Sequence, residues 1–185
     1  MSARGSSRPT ADAAVGERLR RMREARGYSL SALARAAGIG KATLSGLEHG
    51  TRNPTLETLY AVAGALEVPL TALVLKPGDP PAAAVDVRGA AVTATLLEVF
   101  DEPGATFELF WMRVRPGVAQ HSPAHARGVT EHITVYGGVL RAGPEDAPLA
   151  AGPGEHVTFP ADVPHIYQAG GPDEVVANLL IRSPR

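Results

Sequence analysis

The sequence predicts two domains of different class: an all-α bundle of five short helices, followed by an all-β sandwich or barrel. Apolar residues recur every three or four positions up to about residue 75, and the period changes toward two from about residue 85. The segment between them, 76–86, is rich in proline and glycine, which is typical of a linker. We therefore predict a helical domain over 13–75 and a β domain over 87–185, with a disordered tail over 1–12.

The amino-acid composition is typical of a globular protein and excludes several kinds of site. The chain has 185 residues, 44% of them hydrophobic, which is ordinary for a globular protein with a buried core. It has no cysteine, so disulfides, thiolate nucleophiles and cysteine metal ligands are excluded. No run approaches the roughly 18 apolar residues of a membrane span, and the first residues lack the apolar core of a secretory signal. We expect a cytoplasmic protein with no membrane partner.

Charge is divided unevenly between the two halves of the chain. Residues 1–76 carry 11 Lys/Arg against 6 Asp/Glu, a net charge of +5, whereas 77–185 carry 7 against 13, a net charge of −6. A basic front half and an acidic back half indicate that only the front half meets a polyanion.

The predicted helices are supported by their apolar periodicity and by the residues at their ends. The first has apolar residues at helical spacing among four arginines and ends near Gly27. Ser29 is placed to cap the second helix, and Thr55 is placed to cap the fourth. The fifth opens at Pro69, a first-turn position where the missing amide of proline costs little.

A tight turn joins the second and third helices. Leu33 lies on the apolar face of the second helix, and Gly38 stops that helix because glycine adopts the left-handed conformation that a sharp turn needs. The third helix is predicted over 41–49 and turns Leu44 and Leu47 inward. Helices this short are not stable alone. With the flanking helices they form a helix-turn-helix, which is typical of DNA-reading proteins.

Three short sequences mark the helix-turn-helix and the segment that follows it: LARAAGI at 33–39, TLSGLEHG at 43–50 and RNPT at 52–55. Through them, residues 15–74 resemble the Xre/Cro-type, lambda-repressor-like helix-turn-helix family. The resemblance implies that the third helix enters the major groove of double-stranded DNA, with its first residues facing base edges. The implied DNA-binding residues are Ser29, Lys41, Ala42, Ser45, Gly46, Arg52 and Asn53, and Arg35 is a weaker phosphate candidate.

The residues at these positions differ in their capacity to read DNA. Lys41 could donate to guanine and the Ala42 methyl could touch a thymine methyl, whereas Gly46 stands where relatives often carry a longer side chain. Much of the specificity is therefore expected from DNA shape and from phosphate contacts, the latter by Ser29, Arg52 and Asn53. The resemblance also implies a structural pair between Glu48 and Arg23 of the first helix.

Six runs in the second half favour β-strands. They are rich in β-branched and aromatic residues, and glycine-rich turns separate most of them. The runs are 92–100, 106–114, 131–136, 155–159, 165–169 and 175–181. Short strands with frequent turns indicate a sandwich or a barrel.

Two groups of residues in this half stand in a characteristic order. The first has a glycine, histidines, a glutamate and a closing glycine, at Gly117, His121, His125, Glu131 and Gly137-Gly138. The second has a glycine, a proline and a histidine, at Gly154, Pro160 and His165. They resemble the two motifs of the cupin family, whose fold is a jelly-roll barrel, and the resemblance spans about 88–182.

Cupins often bind a divalent metal through histidines and a glutamate from these motifs. The resemblance implies His125, Glu131 and His165 as ligands. His121 is a fourth candidate if its strand bulges, because Pro123 falls on the usual position of the first histidine. Imidazole and carboxylate ligands without a thiolate suit zinc, nickel, iron or manganese. The alternative is a cavity that keeps these polar residues and binds no metal.

Alternation along the strand predicts that His132, next to the candidate ligand Glu131, faces the other side of the sheet. Five aromatic residues could line the pocket or simply pack in the core. They are Phe107, Trp111, Tyr136, Phe159 and Tyr167.

The two resemblances together imply a sequence-specific DNA-binding transcriptional regulator, not an enzyme, whose β domain senses a small-molecule effector. One small bundle makes few base contacts, so we expect a homodimer, paired through the β domain, that reads two half-sites roughly 34 Å apart. Two alternatives stay open. A metal with open positions could catalyse, as in cupin dioxygenases and isomerases. The barrel could also be empty, in a structural or antitoxin-like DNA-binding protein.

Overall fold

A computed structural model describes residues 11–75 and 86–185, with side chains from Val15 onward. The predicted tail and linker lie outside these residues, except that Ala11 and Asp12 belong to the first helix and Asp86 to the first strand. The chain divides into two compact units, which we name the head unit (1–54) and the sheet unit (55–185).

All five predicted helices are present. They are α1 (Ala11–Ala25), α2 (Leu30–Ala36), α3 (Lys41–Glu48), α4 (Leu56–Leu66) and α5 (Leu70–Val74). The predicted caps are confirmed, because Ser29 accepts a hydrogen bond from the Ala32 amide and Thr55 accepts one from the Thr58 amide. None of the described helices is long and apolar enough to cross a membrane.

In the head unit, α2 and α3 are joined by a turn at Gly38, whose φ of 64° is the predicted left-handed conformation. Leu33, Leu44 and Leu47 are buried, as predicted. Helix α1 approaches α3 closely at Gly16, where an added Cβ would lie 2.2 Å from the Leu47 carbonyl oxygen. Glycine is therefore needed where these two backbones meet.

The predicted pair of Arg23 and Glu48 is confirmed. The Arg23 guanidinium donates from Nε to Glu48 Oε1 at 2.6 Å and from Nη2 to Glu48 Oε2 at 2.9 Å. Its Nη1 donates to the Tyr28 carbonyl oxygen at 2.9 Å. The Arg23 and Glu48 side chains are 10% and 3% exposed, so the ion pair is largely excluded from solvent. It joins α1 to the end of α3.

Helices α4 and α5 lie in the compact unit that contains the sheets, although the predicted domain boundary groups them with the first three helices. Two carboxylates tie them to the rest of this unit. Glu57 of α4 accepts from the Ala90 amide at 3.1 Å. The buried Glu108 accepts from the amide and the hydroxyl of Thr71, at 2.7 and 2.5 Å, and so caps the first turn of α5.

The sheet unit contains ten strands in its described residues. They are β1 (Asp86–Arg88), β2 (Val92–Glu102), β3 (Ala105–Val114), β4 (Ala119–Ser122), β5 (Thr130–Gly137), β6 (Leu140–Pro144), β7 (Leu149–Ala151), β8 (His156–Pro160), β9 (His165–Ala169) and β10 (Val175–Pro184). They form two antiparallel sheets, in the orders β1-β2-β3-β10-β5-β8 and β4-β9-β6-β7.

The six predicted strands are all present, with ends that differ from the predicted ones by at most three residues. The prediction missed four strands, namely β1, β4, β6 and β7. Each has only three to five residues, and alanine, glycine, proline and charged residues dominate most of them. Their own strand propensity is weak, so pairing with longer neighbours decides their conformation.

Alternation along β5 places the site. Glu131, Ile133 and Val135 are buried, whereas His132 and Thr134 lie on the opposite face, as predicted for His132. The neighbouring strands β10 and β8 pair with β5 on either side. The Glu131 carboxylate therefore lies on the buried face of a strand inside the sheet and away from solvent.

Candidate functional site

Three of the four predicted ligands come together inside the sheet unit. Glu131 lies on β5, His165 begins β9, and His125 lies between β4 and β5. One ligand atom from each residue lies within 4.8 Å of the others, a separation that one metal ion could bridge. The side chains of Glu131 and His165 are fully buried and that of His125 is 5% exposed. We name these three residues the triad.

The backbone around His125 is fixed to the connection that leads into β9. The His125 amide donates to the Ala161 carbonyl oxygen at 2.8 Å, and the Ala161 amide donates to the Val129 carbonyl oxygen at 2.9 Å. The Gly128 amide donates to Asp162 Oδ2 at 2.9 Å. An irregular segment is thus held in one conformation, which positions the imidazole.

Glu131 accepts two hydrogen bonds. Its Oε1 lies 2.9 Å from His125 Nε2, and its Oε2 accepts from the Tyr167 hydroxyl at 2.5 Å. Burial by itself raises the pKa of Glu131, but the interactions with His125, His165 and Tyr167 outweigh burial and hold the pKa below its ordinary value. The site therefore contains a buried carboxylate that stays anionic at neutral pH.

The tautomer of His165 is set by its backbone neighbour. Nδ1 lies 2.8 Å from the Val163 carbonyl oxygen. Because a carbonyl oxygen only accepts, Nδ1 carries the proton and, in the neutral ring, Nε2 carries the lone pair. This Nε2 is buried, has no hydrogen-bond partner among the described residues, and lies 3.6 Å from Glu131 Oε1. Burial lowers the pKa of His165 and outweighs the Glu131 carboxylate, which acts to raise it. The neutral form of the ring is therefore favoured.

This arrangement fits a metal ligand. A ligating histidine characteristically donates its other N–H to a carbonyl or carboxylate, which fixes the ring and directs the free lone pair at the ion. His165 has that donor bond, whereas its Nε2 lone pair has no hydrogen-bond partner among the described residues. Nε2 lies 3.6 Å from the anionic Glu131 carboxylate, so a cation bound there would accept the lone pair and offset the buried negative charge.

The fourth predicted ligand, His121, is not brought to the triad. On β4, Gln120 and Ser122 are buried and His121 between them faces outward. The pairing of β4 with β9 has no register shift, so the bulge that His121 would need is absent and alternation keeps it off the buried face. Its Nδ1 instead lies 2.7 Å from Glu145 Oε1, with the side chain 69% exposed.

The five predicted aromatic residues divide between the two faces of the sheets. Phe159 and Tyr167 contact His165, with ring centroids 5.9 and 5.5 Å away. Trp111 and Tyr136 lie outside the site and stack on each other at 5.7 Å, 38% and 51% exposed. Phe107 stacks on the exposed Phe100 at 5.0 Å.

Sequence reasoning missed Tyr60 and Glu108. The Tyr60 ring of α4 lies against His125, with centroids 4.3 Å apart. Its spacing of four from Leu56 signals the buried face of α4. No local pattern shows which residue that face meets, because His125 is far away in the sequence. Glu108 gives a weaker signal, a charged residue at a buried position of an alternating strand.

In the head unit, the residues predicted to bind DNA lie at the start of α2, along α3 and just after it. Lys41 and Ala42 are exposed in the first turn of α3, and Ser45 and Gly46 are half-buried one turn later. The three predicted phosphate contacts are exposed: Ser29, Arg52 and Asn53. Their roles in DNA binding stay predictions.

Arg52 lies across Gly46. A Cβ added at Gly46 would lie 3.0 Å from both Cγ and Cδ of Arg52. The Gly46 carbonyl oxygen accepts from the amides of Thr51 and Arg52, at 2.9 and 3.3 Å, and Arg52 Nη1 lies 3.5 Å from Thr43 Oγ1. The aliphatic part of the Arg52 side chain therefore covers Gly46. This contact places the Arg52 guanidinium beside α3.

Comparison with known proteins supports the sequence resemblance. The HTH_3 helix-turn-helix family matches residues 19–73. The chain is 36% identical over 167 residues to the HTH-type transcriptional regulator SutR of Escherichia coli, covering 90% of this chain and 93% of SutR. It is 40% identical over 55 residues to the HTH-type transcriptional regulator SinR of Bacillus subtilis, covering 29% of this chain and 50% of SinR.

Two solved structures are similar. An HTH_3 family transcriptional regulator from Vibrio cholerae superimposes with a TM-score of 0.78 at 28% identity, covering 94% of this chain and 97% of that one. The Cupin_2 domain of an XRE family transcriptional regulator from Enterobacter cloacae gives a TM-score of 0.46 at 30% identity, over 51% of this chain and 99% of that one. With a relative at 36% identity that is matched over 93% of its length, and with a family match that runs from the second half of α1 into α5, the chain belongs to the HTH-type transcriptional regulators that carry an HTH_3, or Xre-type, helix-turn-helix.

Proposed function

We propose that this chain is a sequence-specific DNA-binding regulator whose sheet unit senses a small-molecule effector through a divalent metal held by the triad. The observation that carries the sensing part is the buried His165 Nε2, which has no hydrogen-bond partner among the described residues and lies beside Glu131. The DNA-binding part is supported by membership of the family.

The metal would be held by His125, Glu131 and His165. Two imidazoles and a carboxylate, without a thiolate, suit zinc, nickel, iron or manganese. Once bound, the ion supplies positive charge and open positions for an oxygen-bearing effector. The protein contributes the second layer of contacts, since the Val163 carbonyl fixes the His165 ring and the Tyr167 hydroxyl fixes the carboxylate.

The head unit would place α3 in the major groove of double-stranded DNA. Lys41, Ala42 and Ser45 are the proposed base contacts. Gly46 has no side chain, and the aliphatic part of the Arg52 side chain lies over it instead. Arg52 and Asn53 are proposed to bind phosphates. The Ser29 hydroxyl oxygen accepts the Ala32 amide in the α2 cap, which leaves its proton available for a phosphate oxygen.

A homodimer, paired through the sheet unit, would present two heads to two half-sites. The outward face of the first sheet supports this, because Phe100, Trp111 and Tyr136 are 37%, 38% and 51% exposed there. The proposal also includes a cupin jelly-roll barrel over 87–185, a five-helix lambda-repressor-like bundle over 13–75, and a cytoplasmic location.

The DNA part is tested with the full chain. DNA sites are first selected in vitro from random sequence. The affinity of the protein for these sites is then measured by fluorescence anisotropy at several salt concentrations. The affinity should fall steeply as salt rises, because phosphate contacts release counterions. The double variant Lys41→Ala/Arg52→Ala should bind weakly, whereas the control Arg141→Ala, an exposed arginine on β6, should bind like the wild type. Unchanged affinity of the double variant overturns this docking.

The metal part is tested by elemental analysis of protein expressed in metal-replete medium. The wild type should carry about one divalent metal ion per chain, and His165→Ala should carry none. His121→Ala is the matched control and should keep the metal, because that side chain faces away from the triad. Wild-type protein without metal overturns metal-dependent sensing.

A metal-dependent enzyme of the dioxygenase or isomerase type is the second candidate. It is favoured by one observation: two histidines and one carboxylate leave coordination positions open, as in non-haem iron oxygenases. We propose that the chain is not an enzyme. Sustained oxygen consumption by the iron-loaded protein that is lost in Glu131→Gln would reverse that choice.

A further inference from the structure

Helix α4 forms one wall of the triad site. The ring of Tyr60 lies 4.3 Å from the His125 ring, with the planes tilted by 49°. One turn later, a Cβ at Gly64 would lie 3.6 Å from the Ala124 carbonyl oxygen and 3.8 Å from the backbone of His125. The helix is thus in van der Waals contact with the segment that carries the first ligand.

The Tyr60 hydroxyl is buried and unsatisfied. The residue is 5% exposed, and its hydroxyl has no hydrogen-bond partner among the described residues. Buried hydroxyls are normally paired, because desolvation without a partner costs free energy. A tyrosine hydroxyl is protonated at neutral pH, so the group has a proton to donate and no acceptor among the described residues.

A small cavity adjoins Tyr60. It has a volume of about 50 Å³, and its wall includes Tyr60, Gly64, Glu108, His125 and Ile181. A space of this size accepts only a few non-hydrogen atoms. The cavity wall includes the Glu108 carboxyl group, so an anion without a counter-charge is disfavoured there. The acceptor that suits Tyr60 is an oxygen that is neutral or whose charge a bound cation offsets.

We propose that Tyr60 is a ligand-contacting residue of the triad site and donates a hydrogen bond to an oxygen atom of the small molecule or water that the metal carries. This inference rests on the proposed metal site. The ligand then binds α4 and the sheets at once. Because α4 lies within the residues that match the HTH_3 family, occupancy of the site is linked to a helix of the DNA-binding family segment.

The test uses the full chain with Co²⁺ as the probe, whose visible absorption reports binding to the triad. Hydrogen–deuterium exchange is followed with and without Co²⁺ in α4, in β5 and in β9. In the wild type, Co²⁺ should slow exchange in all three elements. Tyr60→Phe, which loses only the hydroxyl, should bind Co²⁺ about tenfold more weakly. At saturating Co²⁺ it should keep the protection of β5 and β9 and lose that of α4.

Tyr28→Phe, which removes a hydroxyl in the head unit, is the matched control and should behave like the wild type. If Tyr60→Phe binds Co²⁺ with wild-type affinity and α4 is protected equally in both proteins, the inference is overturned while the proposed metal site stands. The wild type gives a second measurement: Co²⁺ that protects β5 and β9 but not α4 also overturns it. If the wild type binds no Co²⁺, the proposed metal site and this inference both fail.

Discussion

Arg23 and Glu48 form a bidentate ion pair between α1 and the end of α3, with N–O distances of 2.6 and 2.9 Å. Both side chains are nearly excluded from solvent. The Glu48 carboxylate is only 3% exposed and is poorly hydrated once Arg23 is removed, so the cost of losing Arg23 exceeds what the pair itself contributes. The pair therefore holds α1 on α3 and sets the position of the helix that is proposed to read DNA.

We expect Arg23→Met to lower the free energy of unfolding by about 3–5 kcal/mol, because it leaves the Glu48 carboxylate buried and unpaired. The double variant Arg23→Met/Glu48→Met should be more stable than Arg23→Met alone, since no uncompensated charge remains. Urea denaturation followed by helical circular dichroism measures both. A single variant as stable as the wild type would show that Glu48 finds water or another partner.

Gly46→Ala separates helix stability from DNA binding. Alanine in place of a helical glycine stabilises by up to about 1 kcal/mol. The new Cβ also displaces the Arg52 stem, which lies 3.0 Å from its position. We therefore expect a protein at least as stable as the wild type whose DNA affinity is lower, with the salt dependence reduced by about one phosphate contact.

The matched control is Gly171→Ala, at an exposed turn where an added Cβ meets nothing within 4 Å. It should leave DNA affinity and its salt dependence unchanged. Anisotropy titrations at several salt concentrations compare the three proteins. Wild-type affinity of Gly46→Ala would mean that the position of Arg52 over Gly46 does not matter for binding.

Glu108 caps α5 from inside the sheet unit. Glu108→Ala leaves the buried amide and hydroxyl of Thr71 without an acceptor, which should cost about 1–3 kcal/mol for each group. Burial raises the pKa of Glu108, so the charged form is costly, and Glu108→Gln should lose less stability because it keeps an acceptor oxygen. Trp111, the single tryptophan, lies in the same unit and reports its unfolding by fluorescence. Equal stability of the two variants would contradict the capping role.

The stability of the metal-free protein should depend on pH through His165. Burial lowers the pKa of this ring in the folded state. In the unfolded chain, the pKa of His165 is about 6.5. Below this pH the unfolded chain therefore binds a proton at His165 that the folded protein does not, and the free energy of unfolding falls as pH decreases. The pKa of His132 is lowered by burial and by His156, which adds in the same direction. The lowered pKa of Glu131 acts only at more acidic pH, below about 4.5.

The melting temperature in the presence of a chelator should drop between about pH 7.5 and 5.5, and His165→Gln should reduce that drop. His121→Gln is the control, because its exposed ring lies outside the triad. A wild-type pH dependence in His165→Gln would show that the burial of this ring does not control acid stability.

Local patterns were enough to predict part of the site. Apolar spacing, caps and turn glycines located the five helices and six of the ten strands, because these elements carry their own signal. Alternation on β5 placed Glu131 inside and His132 outside. The triad residues were predicted from the resemblance of two motifs to those of the cupin family. His121 was a fourth candidate only if its strand bulged, and the regular pairing of β4 with β9 instead turns that ring outward.

The sequence by itself determined the helix-turn-helix and the β class of the second half, since each depends on neighbours close along the chain. The three residues of the triad were predicted from the family resemblance of their motifs, and the fold brings them together. Tertiary structure decided the contacts between distant residues. It placed Tyr60 of α4 against His125 and Glu108 of β3 on Thr71 of α5. It also left His165 Nε2 buried without a partner among the described residues. No local sequence pattern predicts these contacts. Each of these side chains could be buried in many places, and the packing of the sheets and helices decides which partner it meets.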